Sequence, residues 1–208
     1  EVEDATRLFY FAGNPIVIKH NDVIYEESNY MWADSNFFNI FDLEVLEGNA
    51  SEALIKPQSV ILTKTLAKKY FKNASAIGQR LNIPQNDNDF TVTAVIEDVP
   101  PNSHLAFDML ISSKSLGFIE QPNFINFSAL TYLLLHPEAD PQRLESKFPD
   151  LVVKFASGQI MNNFGVDYAE YQKQGNGYNY SLQPLEEIYL NSNLESEIKP
   201  PGSKQRVY

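Results

Sequence analysis

Residues 33–49, ADSNFFNIFDLEVLEGN, place three phenylalanines and an isoleucine within five positions and then alternate until Gly48. Asp34 and Ser35 are residue types that cap helices through a side-chain oxygen, so the aromatic run predicts a short helix. The DLEVLEG segment alternates apolar and acidic side chains, which predicts a half-buried strand. We therefore expect a corner at which a small helix turns its aromatic face onto a strand.

The segments on either side of this corner predict a mixture of strands and one amphipathic helix. Before it, TRLFYFA (6–12), PIVIKH (15–20) and DVIYEESNYMWA (22–33) have the composition of strands separated by turn residues. After it, VIL (60–62) predicts a buried strand, and Thr63 is a suitable cap for a helix with Leu66, Ala67, Tyr70 and Phe71 on one face. GQRLNI (78–83) and DFTVTAVIEDV (89–99) predict two strands joined by a polar turn.

The second half of the chain continues this alternation. LAFDMLIS (105–112) and NFSALTYLLLH (126–136) predict strands around a loop, with a helix within residues 113–125. Asp140 and Pro141 predict the start of a longer helix, which Pro149 should kink or divide. NYSLQPLEEIYL (179–190) predicts a last strand, and the tyrosines around Gly175 to Gly177 predict a hairpin. Hairpins together with crossovers favour an α+β fold.

Composition excludes several classes of function. The 208-residue chain carries 27 acidic and 16 basic side chains, a net charge of −11, which disfavours nucleic acid as a partner. It has no cysteine, so a disulfide, a thiolate metal site and a cysteine nucleophile are all excluded. The longest apolar run, ALTYLLL (129–135), has seven residues, whereas a membrane-spanning helix needs about 20.

No pattern in the sequence indicates catalysis or a bound cofactor. His20, His104 and His136 lack a second ligand at metal-binding spacing, and Asp87 to Asp89 lacks the glycine and distal glutamate of a calcium loop. No nucleophile can be paired with a base, so we predict no catalytic, cofactor-binding or metal-binding residues and no enzyme activity. The region from Tyr168 to Tyr180 leaves one alternative open, a secreted module that binds a sugar or peptide on tyrosine rings.

Five blocks in order carry a family resemblance. They are WADSNFFNIFDLEVLEGN (32–49), SVILTKTLAKKYF (59–71), AIGQRL (76–81), FTVTAVIEDVPPNSHLAFDMLIS (90–112) and YSLQPLEEIYLNSNL (180–194). Together they resemble the extracytoplasmic core domain of MacB/FtsX-type ABC transporter permeases. The chain departs from that pattern where Ala94 replaces a usual glycine and where LEEIYL replaces the more usual LTDIHL.

The resemblance implies a two-lobed domain on the periplasmic, extracytoplasmic side of the bacterial inner membrane. It assigns residues 1–41 and 103–190 to a porter-like lobe, 42–102 to a smaller inserted β/α lobe, and 191–208 to a tail leading to a membrane helix. A second membrane helix would end just before Glu1. The aromatic corner would then be the point where the chain leaves one lobe for the other.

The resemblance also implies a function and partners. The domain would be non-catalytic and would couple ATP-driven conformational change across the membrane to export or to work outside the cytoplasm. A separate cytoplasmic ATP-binding subunit would hydrolyse the ATP, and no cofactor would bind this domain. The expected partners are that ATPase, a second permease copy or half, and a periplasmic accessory protein, without nucleic acid.

Overall fold

A computed structural model describes residues 1–11, 13–86, 88–121, 123–191 and residue 198. The described part contains ten strands: β1 (Val2–Phe9), β2 (Ile16–His20), β3 (Val23–Glu27), β4 (Tyr30–Ala33), β5 (Val45–Gly48), β6 (Ser59–Thr63), β7 (Arg80–Ile83), β8 (Asn88–Ile96), β9 (Met109–Ser112) and β10 (Leu130–Leu135). It also contains six α-helices: α1 (Phe37–Ile40), α2 (Lys64–Phe71), α3 (Pro141–Glu145), α4 (Phe148–Phe164), α5 (Tyr168–Lys173) and α6 (Leu185–Asn191). The expected α+β class is confirmed.

All ten strands join one mixed sheet in the order β10-β1-β4-β9-β6-β8-β7-β2-β3, with β5 paired to β8 beside β7. The pairs β4–β9 and β6–β8 are parallel, and the other pairs are antiparallel.

Two strands of residues 42–102 are hydrogen-bonded to strands outside that range, β6 to β9 and β7 to β2. The division into a porter-like lobe and an inserted lobe stays a prediction, and most of the 191–208 tail lies outside the described residues.

The sheet is covered on both faces because its central strands alternate between two apolar cores. Within β4, Trp32 enters one core and Met31 the other, and within β6 the same is true of Leu62 and Ile61. Helix α2 covers the first core, while α1 covers the second. Strands that are buried on both faces read as continuous apolar runs, which is why β6 carries so clear a sequence signal.

The aromatic corner forms as expected, but its cap differs. Phe37 is fully buried in the second core, and Phe41 is packed against it with ring centroids 4.9 Å apart. The N-cap of α1 is Asn36, without a side-chain cap bond, so the prediction of Asp34 or Ser35 as the cap is wrong. The Asp34 carboxylate instead accepts hydrogen bonds from Arg7 and from Ser113. A carboxylate forms a stronger hydrogen bond with a charged guanidinium than with a neutral helix amide, which explains why Asp34 pairs with Arg7 instead of capping α1.

Glycine is required where β5 crosses closest to β8. Gly48 has φ +91°, and a Cβ at this position would lie 2.4 Å from the carbonyl oxygen of Thr93 and 2.9 Å from the Cα of Ala94. No side chain fits into that space without moving backbone. The alternating strand therefore ends at Gly48 because the backbone of β8 leaves no room for a side chain there.

The predicted cap and apolar face of helix α2 are both confirmed. The Thr63 hydroxyl accepts a hydrogen bond from the Leu66 amide at 3.4 Å, and the predicted apolar face is buried. A second acceptor strengthens the same helix start, because the Asp98 carboxylate accepts from the amide of Thr65 at 3.0 Å and from its hydroxyl at 2.6 Å. Asp98 therefore links the end of β8 to the start of α2.

In the second half, two predictions are wrong and one is confirmed. The described residues of 113–125 contain a single 3-10 turn, Ser113–Ser115, instead of an α-helix. The long helix is divided as predicted, at residues 146–147, and Pro149 stands in the first turn of α4, where its missing amide hydrogen is not needed. No strand forms within residues 179–190, because α6 begins after Pro184 and has Glu186 and Glu187 in its first turn, where acidic side chains favour a helix.

Candidate functional site

A groove of about 800 Å³ lies beside β10, the terminal strand of the sheet. Residues of β10 line the groove together with residues 181–185 and Ile188. Asp140 and Glu145 of the α3 region also line it, as does Ile198. The lining is mostly apolar and includes two carboxylates, so the groove is suited to an apolar segment.

Three rings connect the groove to the aromatic corner. The rings of Phe41 and Tyr132 are 4.9 Å apart in an edge-to-face arrangement, and His104 is 6.1 Å from Phe41 and 5.6 Å from Tyr132. Helix α1 is thereby packed onto β10.

The C-terminal helices form a third core, separate from the two sheet cores. Val152, Ala156 and Ile160 of α4 form its buried stripe, and Tyr178 closes it. The Tyr178 hydroxyl donates a hydrogen bond to the carbonyl oxygen of Ile125 at 3.2 Å. Burial raises the pKa of Tyr178, and a hydrogen bond with Tyr171 raises it further. This hydroxyl therefore stays protonated at neutral pH and acts as a structural donor.

The prediction of a tyrosine hairpin is wrong. Residues 168–173 form α5, which Asp167 caps by accepting from the Glu170 amide at 2.8 Å, and residues 176–184 have no regular structure. Tyr178 is buried, Tyr168 and Tyr171 are half-buried, and Tyr180 is 42% exposed. Of the four rings that the sugar or peptide alternative needs, one is therefore buried, two are half-buried and one is exposed.

Tyr180 and three phenylalanines meet on the surface of this C-terminal region. Phe124 stacks on Phe155 with centroids 5.0 Å apart, Tyr180 donates to the carbonyl oxygen of Phe124 at 3.3 Å, and Phe127 lies 6.2 Å from the Tyr180 ring. Their exposed fractions run from 37% for Phe124 to 71% for Phe127. We call Phe124, Phe127, Phe155 and Tyr180 the aromatic patch.

Sequence reasoning missed the aromatic patch, although α4 carries a signal for it. Besides its buried stripe, α4 exposes Leu151, Val153, Phe155, Met161 and Phe164 by 40–54%. A helix that is apolar on most sides is normally covered on more than one of them. The helical spacing of Leu144, Phe148, Leu151, Val152 and Phe155 predicts one buried face, but Leu151 and Phe155 are exposed in the structure.

The three histidines do not meet in the structure. His20 lies at the end of β2 with its Nδ1 3.3 Å from the carbonyl oxygen of Arg80. His104 lines the groove, and the Nδ1 of His136 is 3.8 Å from a carboxylate oxygen of Glu3. Over the described ranges no three metal-ligating side chains come together. Asp87 of the acidic turn is outside those ranges.

The comparison with known families decides what the chain is. A model of the MacB-like periplasmic core domain matches residues 2–151, which include the whole sheet. The chain belongs to the MacB-like periplasmic core domain family. The match ends within the first turn of α4, so the buried residues of the third core and two members of the aromatic patch, Phe155 and Tyr180, belong to the part of this MacB-like chain that the family model does not cover.

Solved structures agree with this assignment at the level of the fold. A permease-protein domain from Porphyromonas gingivalis aligns over 74% of the MacB-like chain and 70% of its own, with 24% identity and a TM-score of 0.63. The periplasmic region of MacB from Actinobacillus actinomycetemcomitans aligns over 86% and 78%, with 12% identity and a TM-score of 0.52. The search of curated proteins found no match. In the described residues, no helix has both the length and the apolar character of a membrane span.

Proposed function

We propose that this MacB-like domain is a non-catalytic, extracytoplasmic part of an ABC transporter permease that transmits conformational change across the membrane. A separate cytoplasmic ATPase would hydrolyse ATP, and the domain would move in response. The permease would act as a pair, either two copies or two halves, and a periplasmic accessory protein would dock on it. The observation that carries this proposal is the family match, which coincides with one continuous sheet.

The construction of that sheet supports a role in transmitting movement. Its central strands are buried on both faces, and side-chain bonds join distant elements, as when Glu27 of β3 accepts from Lys69 and Tyr70 of α2 at 2.6 Å each. A body of this kind moves as a unit because its packed interior resists deformation. To move a two-state equilibrium from 1:99 to 99:1, nucleotide must favour one state by about 5.5 kcal/mol.

The test uses the full-length permease with its ATPase in a bilayer. These 208 residues contain no cysteine, so once any cysteine elsewhere in the permease is replaced, spin labels can be placed on Cys introduced at Asp22 and at Gln172, both exposed. We expect the distance distribution between the labels of paired permeases to shift when ATP binds and to return after hydrolysis. An unchanged distribution while the ATPase turns over would contradict the proposal, as would ATP hydrolysis by the isolated domain.

A further inference from the structure

The sequence contains one Asn-Gly pair, Asn176-Gly177, and the structure leaves both residues exposed. An asparagine that precedes glycine is the most open to attack by the backbone amide that follows it, because glycine has no Cβ to obstruct the approach. The pair begins residues 176–184, which have no regular structure. No helix or strand therefore holds the Asn176 side chain away from the Gly177 amide.

The backbone next to this pair is fixed on its N-terminal side. Helix α5 ends in a Schellman motif, in which the Gly175 amide donates to the carbonyl oxygen of Gln172 at 3.0 Å. In the same motif the Asn176 amide donates to the carbonyl oxygen of Tyr171 at 3.2 Å. Within the described residues, neither the Gly177 amide nor the Asn176 side chain has a hydrogen-bond partner. The nitrogen and the carbonyl carbon that can react are thus adjacent, exposed and not otherwise bonded.

We propose that Asn176 is a site of spontaneous deamidation, and that its isoaspartyl product loosens the third core. The Gly177 amide gives its proton to solvent hydroxide, and its nitrogen attacks the side-chain carbonyl carbon of Asn176. A C–N bond forms there while the Cγ–Nδ2 bond breaks and ammonia leaves.

Water then opens the cyclic imide in one of two ways. Cleavage of the bond from the Gly177 nitrogen to the side-chain carbonyl carbon gives aspartate, whereas cleavage of the bond to the main-chain carbonyl carbon gives isoaspartate. The net reaction consumes one water molecule and releases one molecule of ammonia. It needs no oxidant, metal or second protein.

The modified residue would lie beside the third core. Tyr178 follows Asn176 by two positions, and its ring stacks on that of Tyr171 with centroids 6.1 Å apart. Isoaspartate routes the main chain through the side-chain carbon, which lengthens the chain between the α5 cap and Tyr178 by one atom. Because packed side chains tolerate little displacement, this extra atom should disturb the contacts of Tyr178.

The same pair supplies a matched control. Gly177 has no atom within 4 Å of an added Cβ, and its φ is outside the left-handed range that favours glycine, so Gly177→Ala should leave the fold intact. The methyl group crowds the ring closure, and a cost of about 1.4 kcal/mol in the transition state slows a reaction tenfold. Asn82 is the internal reference, because its side chain donates to Asp89 at 3.0 Å and the β-branched Ile83 follows it in β7.

The experiment incubates the wild-type chain and Gly177→Ala at mildly alkaline pH and body temperature, followed by peptide mass spectrometry that separates aspartyl from isoaspartyl forms. We expect the Asn176 peptide of the wild-type chain to convert to both forms about tenfold faster or more than in Gly177→Ala. The Asn82 peptide should stay unchanged. The proposal would be overturned if Asn176 survived in the folded chain but converted in urea, or if Gly177→Ala or Asn82 reacted as fast.

Amide hydrogen exchange tests the effect on the third core. The isoaspartyl form, purified from the aged chain, is compared with Asn176→Asp, which carries the same charge on an ordinary backbone. We expect faster exchange within residues 148–173 of the isoaspartyl form and equal exchange in β6. Equal exchange of residues 148–173 in the two proteins would refute the link between Asn176 and the third core.

Discussion

Arg7 of β1 and Asp34 after β4 form a two-pronged ion pair, with Nε 2.8 Å from one carboxylate oxygen and a terminal guanidinium nitrogen 3.2 Å from the other. The first of these oxygens also accepts from the Arg7 amide at 3.1 Å, and the second accepts from the Ser113 hydroxyl at 2.6 Å. Asp34 thereby joins β1, the aromatic corner and the 3-10 turn after β9. Its two side-chain partners lie 27 and 79 positions away along the chain.

Replacement of Asp34 by Asn should therefore lower the free energy of unfolding by about 1–2 kcal/mol, because the Arg7 pair is only partly exposed and uses two hydrogen bonds. Glu97→Gln is the control, since the Lys64–Glu97 pair is more exposed and should contribute less than about 0.5 kcal/mol. Urea unfolding at neutral pH measures both. If both variants lost the same free energy of unfolding, the Arg7–Asp34 pair would contribute no more than an exposed ion pair.

The Asp98 link to α2 predicts a dependence of stability on pH. Hydrogen bonds from the Thr65 hydroxyl and amide hold the pKa of Asp98 below its ordinary value. A carboxyl whose pKa is lowered by folding stabilises the protein above its unfolded pKa of about 3.9, and this contribution is lost as the pH falls through the folded value.

We expect Asp98→Asn to unfold at lower urea concentration than the wild-type chain at pH 7, by an amount typical of a lost cap, about 0.5–1 kcal/mol. The difference between the two proteins should shrink as the pH drops below about 4. Urea midpoints across this range provide the measurement. A difference that persisted unchanged in acid would mean that the Asp98 charge has no part in it.

Two glycine substitutions should have opposite effects. Gly48→Ala places a Cβ against backbone at a positive φ, and we expect a loss of about 2 kcal/mol or more. Gly158 lies inside α4 with no atom within 4 Å of an added Cβ, so Gly158→Ala should gain about 0.5–1 kcal/mol from helix propensity. Thermal unfolding distinguishes them. Destabilisation by Gly158→Ala would show that α4 is not a regular helix there.

The third core should open independently of the sheet. Tyr178→Phe leaves the Ile125 carbonyl without its donor and should cost about 1 kcal/mol. We expect faster amide hydrogen exchange in residues 148–173 and unchanged exchange in β6 and β9, because the C-terminal core is separate from the two sheet cores. Tyr180→Phe, at an exposed hydroxyl, is the control. Equal acceleration in the central strands would mean that the whole chain unfolds as one unit.

The family-matched region was accessible to sequence reasoning because its signals are local. The apolar run of β6, the Thr63 cap and the four-residue stripe of α2 each depend on neighbours in the chain, and so does the aromatic corner around Phe37. The C-terminal third was less predictable. The tyrosines near Gly175 have strand-forming composition, yet the capped helix α5 and the burial of Tyr178 against α4 override it.

The sequence by itself determined the fold class, the family resemblance and most of the element order up to β9, because alternation, helical spacing and capping are recorded within short segments. Only the tertiary structure decided which strands pair, that Asp34 binds Arg7 instead of capping α1, and that Phe124 stacks on Phe155 at the surface. These outcomes depend on contacts between residues about 30 or more positions apart. Such contacts leave no periodic trace in one sequence.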